Sequence, residues 1–444
     1  MAHHDAGRRS FLKTMAAGAA GTTLSAGMTA RSYARIAGAN DRVSVGIIGM
    51  GRMARGHLNN LLGFEDVQVT AICDVYEPNL AYGLRRAEGA DGFRDFRALL
   101  DREDVDAVVV GSPDHWHALH TVLACQAGKD VYVEKPISLT VAEGRKMVEA
   151  AHRYDRVVQV GTQQRSNPIF QQAVEIIHRG DLGEISFVRT WNVSNAYPDG
   201  IGSPPDSAPP PDLDWDLWLG PAPRVAFNPN RFGVQLNEQG DYTRWATFRW
   251  FWDYAGGMMT DWGVHLLDIV HWAMQVDYPE SVSASGGKLL LRDNRETPDT
   301  LVATFRYPSF VCTYENRVCN GFPLEGRGYG ILFHGTRGTL FVNRQELEVV
   351  PEAGSDLQPL ASREGRGGHA AHMRDFLDAV KARTQPVCDI ETGHRSSSVA
   401  MLGNIAYRSG RRIDWDGQRE RILGDDYAAS LLWKPYRGAW SLDG

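Results

Sequence analysis

Short apolar runs separated by longer, mixed segments recur along the first third of the chain. The runs are largely continuous rather than alternating, and they are Val43–Ile48, Val67–Cys73, Ala107–Val110, Val131–Val133 and Val157–Val160. Runs of this length are typical of parallel strands that helices cover on both faces. The pattern therefore predicts an α/β fold, with a parallel sheet in a first domain that covers residues 41–161.

The pattern changes in the second half of the chain, where strands follow one another without helices between them. These strands are predicted at Ser281–Leu291, Thr300–Tyr307, Phe310–Val318, Gly330–His334 and Thr339–Val342. Consecutive strands of this kind favour antiparallel hairpins with one solvated face. Helices are predicted at Gly257–Met274, His372–Arg383 and His394–Ser409. Residues 162–444 are therefore expected to form a second domain that mixes helices with an antiparallel sheet.

Composition narrows the class of protein. Hydrophobic residues make up 43% of the 444 and charged residues 23%, which is typical of a globular protein rather than a disordered one. The chain carries 47 Lys and Arg against 54 Asp and Glu, and it has no basic run suited to a phosphate backbone. We therefore expect no nucleic-acid partner. The five cysteines, an odd number without a CxxC pair, indicate neither a disulfide framework nor a zinc site.

Residues 1–40 carry the features of an export signal. The motif Arg8-Arg9-Ser10-Phe11-Leu12-Lys13 precedes a stretch rich in Ala, Gly and Thr, and this arrangement resembles a twin-arginine signal. The stretch is too short and too rich in Gly and Thr for a stable membrane anchor. The alternative is an ordinary basic amino terminus. We expect a signal and linker over residues 1–40, and a periplasmic or extracellular protein.

The first apolar run leads into a glycine-rich turn. Gly49-Met50-Gly51-Arg52-Met53-Ala54 has the GxGxxA spacing of a dinucleotide-binding turn between a strand and a helix. Gly49 permits the tight turn, and Gly51 lets a pyrophosphate approach the amino terminus of the helix. Asp74 ends the next strand, where its carboxylate can accept the ribose hydroxyls and would repel a 2′-phosphate. The motif, with Arg52 and Met53, predicts an NAD site and makes NADP the less favoured cofactor.

Two further strand ends border the expected position of the nicotinamide. One turn follows Ala107–Val110 and the other follows Val131–Val133. Ligands of open α/β sheets bind at the carboxyl ends of the strands. We therefore expect cofactor contacts from Ser112, Pro113, His117, Glu134 and Lys135. The alternative role for Lys135 is a salt bridge with Glu134.

The predicted helix Gly257–Met274 aligns three polar side chains. Asp261, His265 and Asp268 stand at i, i+4 and i+7, so they share one helix face, and the first two could meet Lys135 over the nicotinamide. Asp and His at this spacing can also ligate zinc. Oxidation of an alcohol by NAD needs no Lewis acid, so we expect no metal.

Aromatic and basic residues near the domain junction are the candidates for substrate contacts. Eight of the twelve tryptophans fall between Trp191 and Trp272, and aromatic faces can stack on sugar rings. We expect two or three of them to contact ligand, including Trp191, and the others to be core residues. Arg165 is a further candidate, for which a structural role is equally open.

These motifs together resemble the Gfo/Idh/MocA family, which includes glucose-fructose oxidoreductase and inositol dehydrogenase. The resemblance runs from about Val43 to Trp415 and is carried by the turns above and by the segment 256–265. It implies a Rossmann domain, then an α/β domain with a large open, mostly antiparallel sheet that serves substrate binding and assembly into a homodimer or homotetramer. It also implies a Lys135–Pro136 peptide that is often cis. By this match, His265 is the leading acid/base, Lys135 its partner in proton handling, and Asp261 the carboxylate that orients His265.

Three functions are compatible with these features. The favoured one is an exported oxidoreductase that transfers hydride between a sugar or glycoside carbinol and a tightly bound NAD, because free dinucleotide is scarce outside the cytoplasm. The second is a redox-neutral, NAD-dependent glycosidase that oxidises, eliminates, hydrates and re-reduces its substrate. The third is a catalytically silent protein that binds NAD and sugar. The pairing of Asp261 with His265 favours the first function.

Overall fold

The first domain is a six-stranded parallel sheet covered by helices on both faces. The computed structural model describes residues 42–363, 365 and 367–443, so the expected export signal lies outside the described residues. The strands are β1 (Val43–Ile48), β2 (Val67–Cys73), β3 (Asp91–Phe93), β4 (Ala107–Val110), β5 (Asp130–Val133) and β6 (Val158–Val160). They lie in the order β3-β2-β1-β4-β5-β6. This is the Rossmann order, and it leaves a crevice where β1 and β4 diverge at their carboxyl ends.

The helices of this domain follow the strands in sequence. They are α1 (Arg52–Leu62), α2 (Glu77–Arg86), α3 (Phe96–Leu100), α4 (Asp114–Gln126) and α5 (Val141–Arg153). The α5 helix begins with a capping box, in which Thr140 Oγ1 accepts the Glu143 N–H and the Glu143 carboxylate accepts the Thr140 N–H. The fold class expected from the apolar runs is confirmed, and only the short edge strand β3 was not anticipated.

The second domain is built on a ten-stranded sheet. Its strands are β7 (Ile185–Val193), β8 (Ser281–Gly287), β9 (Thr300–Arg306), β10 (Val311–Arg317), β11 (Tyr329–Gly335), β12 (Gly338–Val342), β13 (Leu347–Pro351), β14 (Leu360–Ser362), β15 (Ile413–Asp416) and β16 (Arg421–Leu423). The order is β14-β13-β12-β11-β7-β10-β9-β8-β15-β16. Every described pair is antiparallel except β7 with β10, which run parallel from Val311↔Phe187 to Arg317↔Val193.

Further helices belong to the part of the chain after the first domain. They are α6 (Pro168–His178), α7 (Trp215–Leu219), α8 (Pro229–Phe232), α9 (Val264–Met274), α10 (His369–Ala382), α11 (Ile390–Ser409) and α12 (Asp426–Ser430). The long helix α11 is buried on nearly all sides and packs on α5 of the first domain and on β8 of the second. Helix α10 packs on α1, and its Phe376 joins the core beneath the first sheet. The chain therefore returns to the first domain after it has built the second.

The cysteines, the Lys135–Pro136 peptide and the apolar helices were all subjects of sequence-based expectations. All five cysteines are free thiols, and four of them are buried. The Lys135–Pro136 peptide bond is cis. Within the part of the chain that the structure describes, we find no helix with the length and apolar character needed to cross a membrane.

Candidate active site

The crevice at the ends of β1 and β4 has the shape of a dinucleotide cradle. Gly49 has φ = +84°, and a Cβ there would lie 2.7 Å from the backbone nitrogen of Ser112, so the position admits only glycine. Gly51 caps α1 without any side-chain hydrogen bond. The first N–H groups of a helix have no partners within it, so they stand free for a pyrophosphate. Gly49, Gly51, Arg52 and Met53 all line this cleft.

Asp74 lies at the adjacent strand end and also lines the cleft. Its Oδ2 accepts from the Met50 N–H (2.7 Å) and from Asn79 Nδ2 (3.2 Å), while Oδ1 accepts from the Tyr76 N–H (2.8 Å). Burial raises the pKa of Asp74 to about 6, although these hydrogen bonds oppose the shift. One acceptor position on Oδ1 is left for a ribose hydroxyl, so the residues present fit a nicotinamide dinucleotide.

The turns after β4 and β5 are joined by side-chain hydrogen bonds. Both ring nitrogens of His117 contact backbone oxygens, Nδ1 that of Pro136 (2.7 Å) and Nε2 that of Ser112 (2.9 Å). Glu134 contacts His57 Nε2 at 2.7 Å. Burial raises the pKa of Glu134, but the hydrogen bond and charge of His57 outweigh it, and the pKa lies below its ordinary value. His117 and Glu134 line the cleft and hold its wall in place.

A segment of the second domain lies across the cleft. We call residues 234–250 the cover segment. The Tyr242 hydroxyl donates to Asn79 Oδ1 (3.1 Å), and the Arg55 side chain donates to the Gly240 carbonyl (2.6 Å). The guanidinium of Arg52 stacks on Trp245, 4.4 Å from the ring centroid. The cover segment thus contacts the glycine-turn helix beside the expected pyrophosphate.

Lys135 pairs with Asp261 and not with Glu134. Its Nζ donates to Asp261 Oδ1 (2.8 Å) and to the Asp261 carbonyl (2.9 Å), and Arg249 Nε donates to the same Oδ1 (3.2 Å). Burial raises the pKa of Asp261, but the two cations outweigh it and hold the pKa well below its ordinary value. An ionised carboxylate between two cations therefore borders the cleft.

His265 lies close to this ion pair but makes no hydrogen bond with Asp261. Residues Met259–Gly263 form a π-helical turn before α9. The wider π turn breaks the i, i+4 alignment expected for a regular helix. Lys135 and Arg249 also take up the Asp261 carboxylate. The expectation that Asp261 orients His265 is therefore corrected: Asp261 orients Lys135.

One ring nitrogen of His265 makes no hydrogen bond with the described residues. Its Nδ1 is buried and has no hydrogen-bond partner among the described residues. Burial lowers the pKa of His265 well below its ordinary value, and the charges of Lys135 and Arg344 add to the shift. The imidazole is therefore neutral at physiological pH.

Two expected substrate residues lie elsewhere. Arg165 Nε contacts both carboxylate oxygens of Asp268 (3.0 and 2.9 Å), and the side chain of Asp268 is completely buried. Trp191 is also completely buried, and its indole N–H donates to the Arg327 carbonyl (2.9 Å). Both residues lie in the core rather than in the cleft. Trp191 is on the central strand β7, and the partner of Arg165, Asp268, lies one turn of α9 beyond His265.

Several cleft residues were not anticipated from the sequence. Asp114, at the start of α4, lines the cleft, and burial raises its pKa to about 6. Its place beside Ser112 and Pro113 was a signal that could have marked it. Trp245 is one of the eight clustered tryptophans considered as ligand contacts, and it lines the cleft, whereas Arg249 had no signal because it lies in an irregular segment far along the chain from the glycine turn.

Fold and site together define an NAD-binding oxidoreductase of two domains. Family models match both halves: an oxidoreductase family with an NAD-binding Rossmann fold over residues 43–162, and the C-terminal α/β domain of the same family over 199–442. The chain belongs to the Gfo/Idh/MocA family.

Known relatives include dehydrogenases of polyols and sugars. Inositol 2-dehydrogenase 2 of Saccharopolyspora erythraea is 33% identical over 168 residues, 37% of this chain and 49% of that protein. The chain thus spans about half the length of that relative. Myo-inositol 2-dehydrogenase of Thermotoga maritima is 24% identical over 376 residues, 82% of this chain and 95% of that protein. A solved levoglucosan dehydrogenase in complex with NADH aligns with a TM-score of 0.64 at 18% identity, over 84% of this chain and 99% of that one.

Proposed function

We propose that this protein oxidises a secondary hydroxyl of a sugar, polyol or glycoside with a resident NAD. The observation that carries the proposal is the ion pair at the cleft, in which Lys135 donates to Asp261, with the neutral imidazole of His265 close to it. NAD, when bound, supplies the hydride acceptor. The dehydrogenases of inositol and levoglucosan among the similar proteins support a carbohydrate substrate.

His265 is suited to take the proton of the substrate hydroxyl. Its imidazole is neutral because burial and the charge of Lys135 lower its pKa, and a neutral imidazole can accept a proton. Once protonated, it would be destabilised by burial and by Lys135, so the proton would move on readily. Its pKa therefore favours transient proton transfer over storage of the proton.

Lys135 is suited to hold the substrate oxygen. Its ammonium is fixed by two hydrogen bonds to Asp261, which leave the third N–H to point at a ligand. A cation held by a carboxylate can stabilise the negative charge that develops on the oxygen as the C–H bond breaks. The distribution of roles is therefore a proton acceptor at His265 and an electrostatic anchor at Lys135.

Retention of the cofactor is proposed from the cover segment. Its contacts with Asn79, Arg55 and Arg52 close the cleft beside the glycine turn, and they would have to break before a dinucleotide could leave. A retained NAD, once reduced, would have to be re-oxidised in place, by hydride transfer either to a second carbonyl compound or back to the oxidised substrate.

The location and assembly of the protein are further proposals. The twin-arginine motif at Arg8 and Arg9 supports export, and replacing both by Lys is expected to keep the protein in the cytoplasm on cell fractionation. The open ten-stranded sheet, with Val302 on β9 43% exposed, supports a homodimer or homotetramer. The mass in solution, measured by light scattering, tests the assembly.

The first experiment measures the cofactor itself. The chain is expressed without added nucleotide, purified natively and denatured, and the released nucleotide is quantified by absorbance and mass. We expect about one NAD per chain, and reduction of that NAD when a substrate polyol or sugar is added. An empty protein would contradict retention, and a loaded one that no carbohydrate reduces would contradict dehydrogenation. Release of the alcohol from an aryl glycoside without net NADH would identify the redox-neutral glycosidase instead.

A further inference from the structure

The hairpin between β12 and β13 carries an arginine towards His265. The tip of this hairpin is shaped by Asn343, whose Oδ1 accepts the N–H groups of Gln345 (2.8 Å) and Glu346 (2.9 Å). A turn closed by its own asparagine side chain is specified locally. Arg344 therefore projects from a defined position on the second domain.

Arg344 is held by uncharged groups. Its Nε donates to Gln164 Oε1 (3.0 Å), and its guanidinium stacks on Trp262, 4.9 Å from the ring centroid. The same Gln164 donates through Nε2 to the His265 carbonyl (2.9 Å). Two hydrogen bonds through one glutamine thus connect Arg344 to the backbone of His265, the proposed proton acceptor. This places a cation beside the reacting group.

The charge of Arg344 has no carboxylate partner among the described residues. The surrounding carboxylates are engaged by other groups: Glu134 by His57, Asp261 by Lys135 and Arg249, and Glu346 by Arg327. Burial of an unpaired cation is unfavourable, and burial lowers the pKa of Arg344 accordingly. The two terminal NH₂ groups of the guanidinium are left for an anion.

The start of α10 adds to the positive field here. Gly368 precedes this helix with φ = +108°, and no side chain caps its first N–H groups. His369 approaches Gln163, the neighbour of Gln164, with their terminal nitrogens 3.4 Å apart. Free N–H groups at a helix start carry partial positive charge. Arg344 and the start of α10 therefore contact neighbouring residues of one turn, Gln164 and Gln163.

We propose that the substrate is a sugar acid whose carboxylate binds Arg344 while its carbinol faces His265 and Lys135. The inference rests on the proposed function and specifies its substrate class. A planar guanidinium with two free NH₂ groups matches a carboxylate bidentately. A phosphate dianion is best bound by more than one unpaired cation. Among the described residues around His265, Arg344 is the one cation without a carboxylate partner. The class is therefore a uronate rather than a sugar phosphate.

The test compares matched ligands on the holoenzyme. D-Glucuronate and D-galacturonate are titrated calorimetrically against the NAD-loaded protein, beside the corresponding uronamides, which have the same shape without the charge. We expect a uronate to bind about 10- to 100-fold more tightly than its amide, the range of a charge-assisted pair. Arg344→Gln is expected to remove this difference and to leave the amide unchanged.

Two further variants control the interpretation. Arg363, directly after β14, has a side chain 89% exposed, so Arg363→Gln is expected to leave every affinity unchanged. If Arg344→Gln does not fold, Arg344→Lys keeps the charge but loses the planar fork, and it is expected to weaken uronate binding selectively. In every variant the NAD content and the thermal midpoint are measured first.

The outcomes separate this inference from the function on which it rests. Equal binding of uronate and amide, equal loss of both in Arg344→Gln, or tighter binding of glucose 6-phosphate than of glucuronate would overturn the inference. Arg344-dependent binding of a uronate without NADH formation would support the inference and contradict the dehydrogenase. NADH formation from neutral sugars alone, unaffected by Arg344→Gln, would do the reverse.

Discussion

The ion pair between Lys135 and Asp261 allows a quantitative test of the site. In Asp261→Asn the carboxylate that accepts from Lys135 Nζ at 2.8 Å and from Arg249 Nε at 3.2 Å becomes neutral. Two cations whose side chains are only 11% and 16% exposed then face each other without compensation. The Asn carboxamide can still accept a hydrogen bond from Lys135, but it lacks the negative charge that holds the ammonium in place.

The expected magnitude follows from the burial of the pair. Removing one partner of a fully buried pair costs about 3–5 kcal/mol. The Asp261 side chain is 24% exposed, so some water remains, and about 2–3 kcal/mol is the appropriate range. If that energy serves the transition state, kcat falls about 30- to 150-fold. The free energy of unfolding of the apoprotein should decrease by the same amount, about 2–3 kcal/mol.

The assay is a double-mutant cycle. Initial rates of NADH formation and urea unfolding are measured for Asp261→Asn, Lys135→Met and the double variant. Groups that act as a unit are non-additive, so the double variant should lose no more kcat than the worse single variant. It should also unfold at higher urea than Asp261→Asn alone, because one of the two unpaired cations is gone.

A surface pair provides the matched control. Asp66 contacts Arg374 at 2.8 Å and also Lys381, with its side chain 39% exposed, so Asp66→Asn should cost about 1–2 kcal/mol, less than the buried pair, and leave kcat unchanged. Single-variant effects on kcat that simply multiply in the Lys135/Asp261 double variant would refute the view that the pair works as one group.

Three further outcomes are expected. Asp74→Ala removes the acceptor beside the glycine turn and should weaken NAD about 10- to 100-fold in equilibrium dialysis; unchanged affinity would place the ribose elsewhere. The raised pKa of Asp114, about 6 against an ordinary 3.8, means that its ionised form destabilises the fold, a cost that appears as pH rises through 4–6 and is constant above. Asp114→Asn should therefore stabilise the apoprotein by about 2–3 kcal/mol at pH 7.5 and by little at pH 3.5, and equal effects at both would count against a raised pKa. Trp245→Ala should speed NAD release severalfold in a stopped-flow chase without altering the thermal midpoint, whereas an unchanged release rate would separate the cover segment from retention.

The parallel sheet was accessible from the sequence because its strands are buried on both faces. The predicted bounds of Val43–Ile48 and Ala107–Val110 match the observed strands at both ends. A strand covered by helices on both faces is apolar along its whole length, so its ends are marked by the first polar residues. In the second domain five of the ten strands were missed. The central strand β7 is one of them, because its partners β10 and β11 lie more than a hundred residues further along the chain.

The sequence by itself determined the dinucleotide turn and the identity of the groups near the reacting centre. Gly49, Gly51 and Asp74 act through backbone geometry within one strand–turn–helix unit, so their spacing carries the information. Lys135 was marked in the same way, by its place at a strand end.

Only the tertiary structure decided which of these groups touch. A regular helix would have paired Asp261 with His265, but the π-helical turn gives Asp261 to Lys135 and to Arg249. The cover segment and Arg344 lie on elements that carry none of the sequence motifs that marked the other residues of the site. Such contacts join residues 80 to 200 positions apart, and they depend on how distant elements pack within and between the two domains, which no local periodicity encodes.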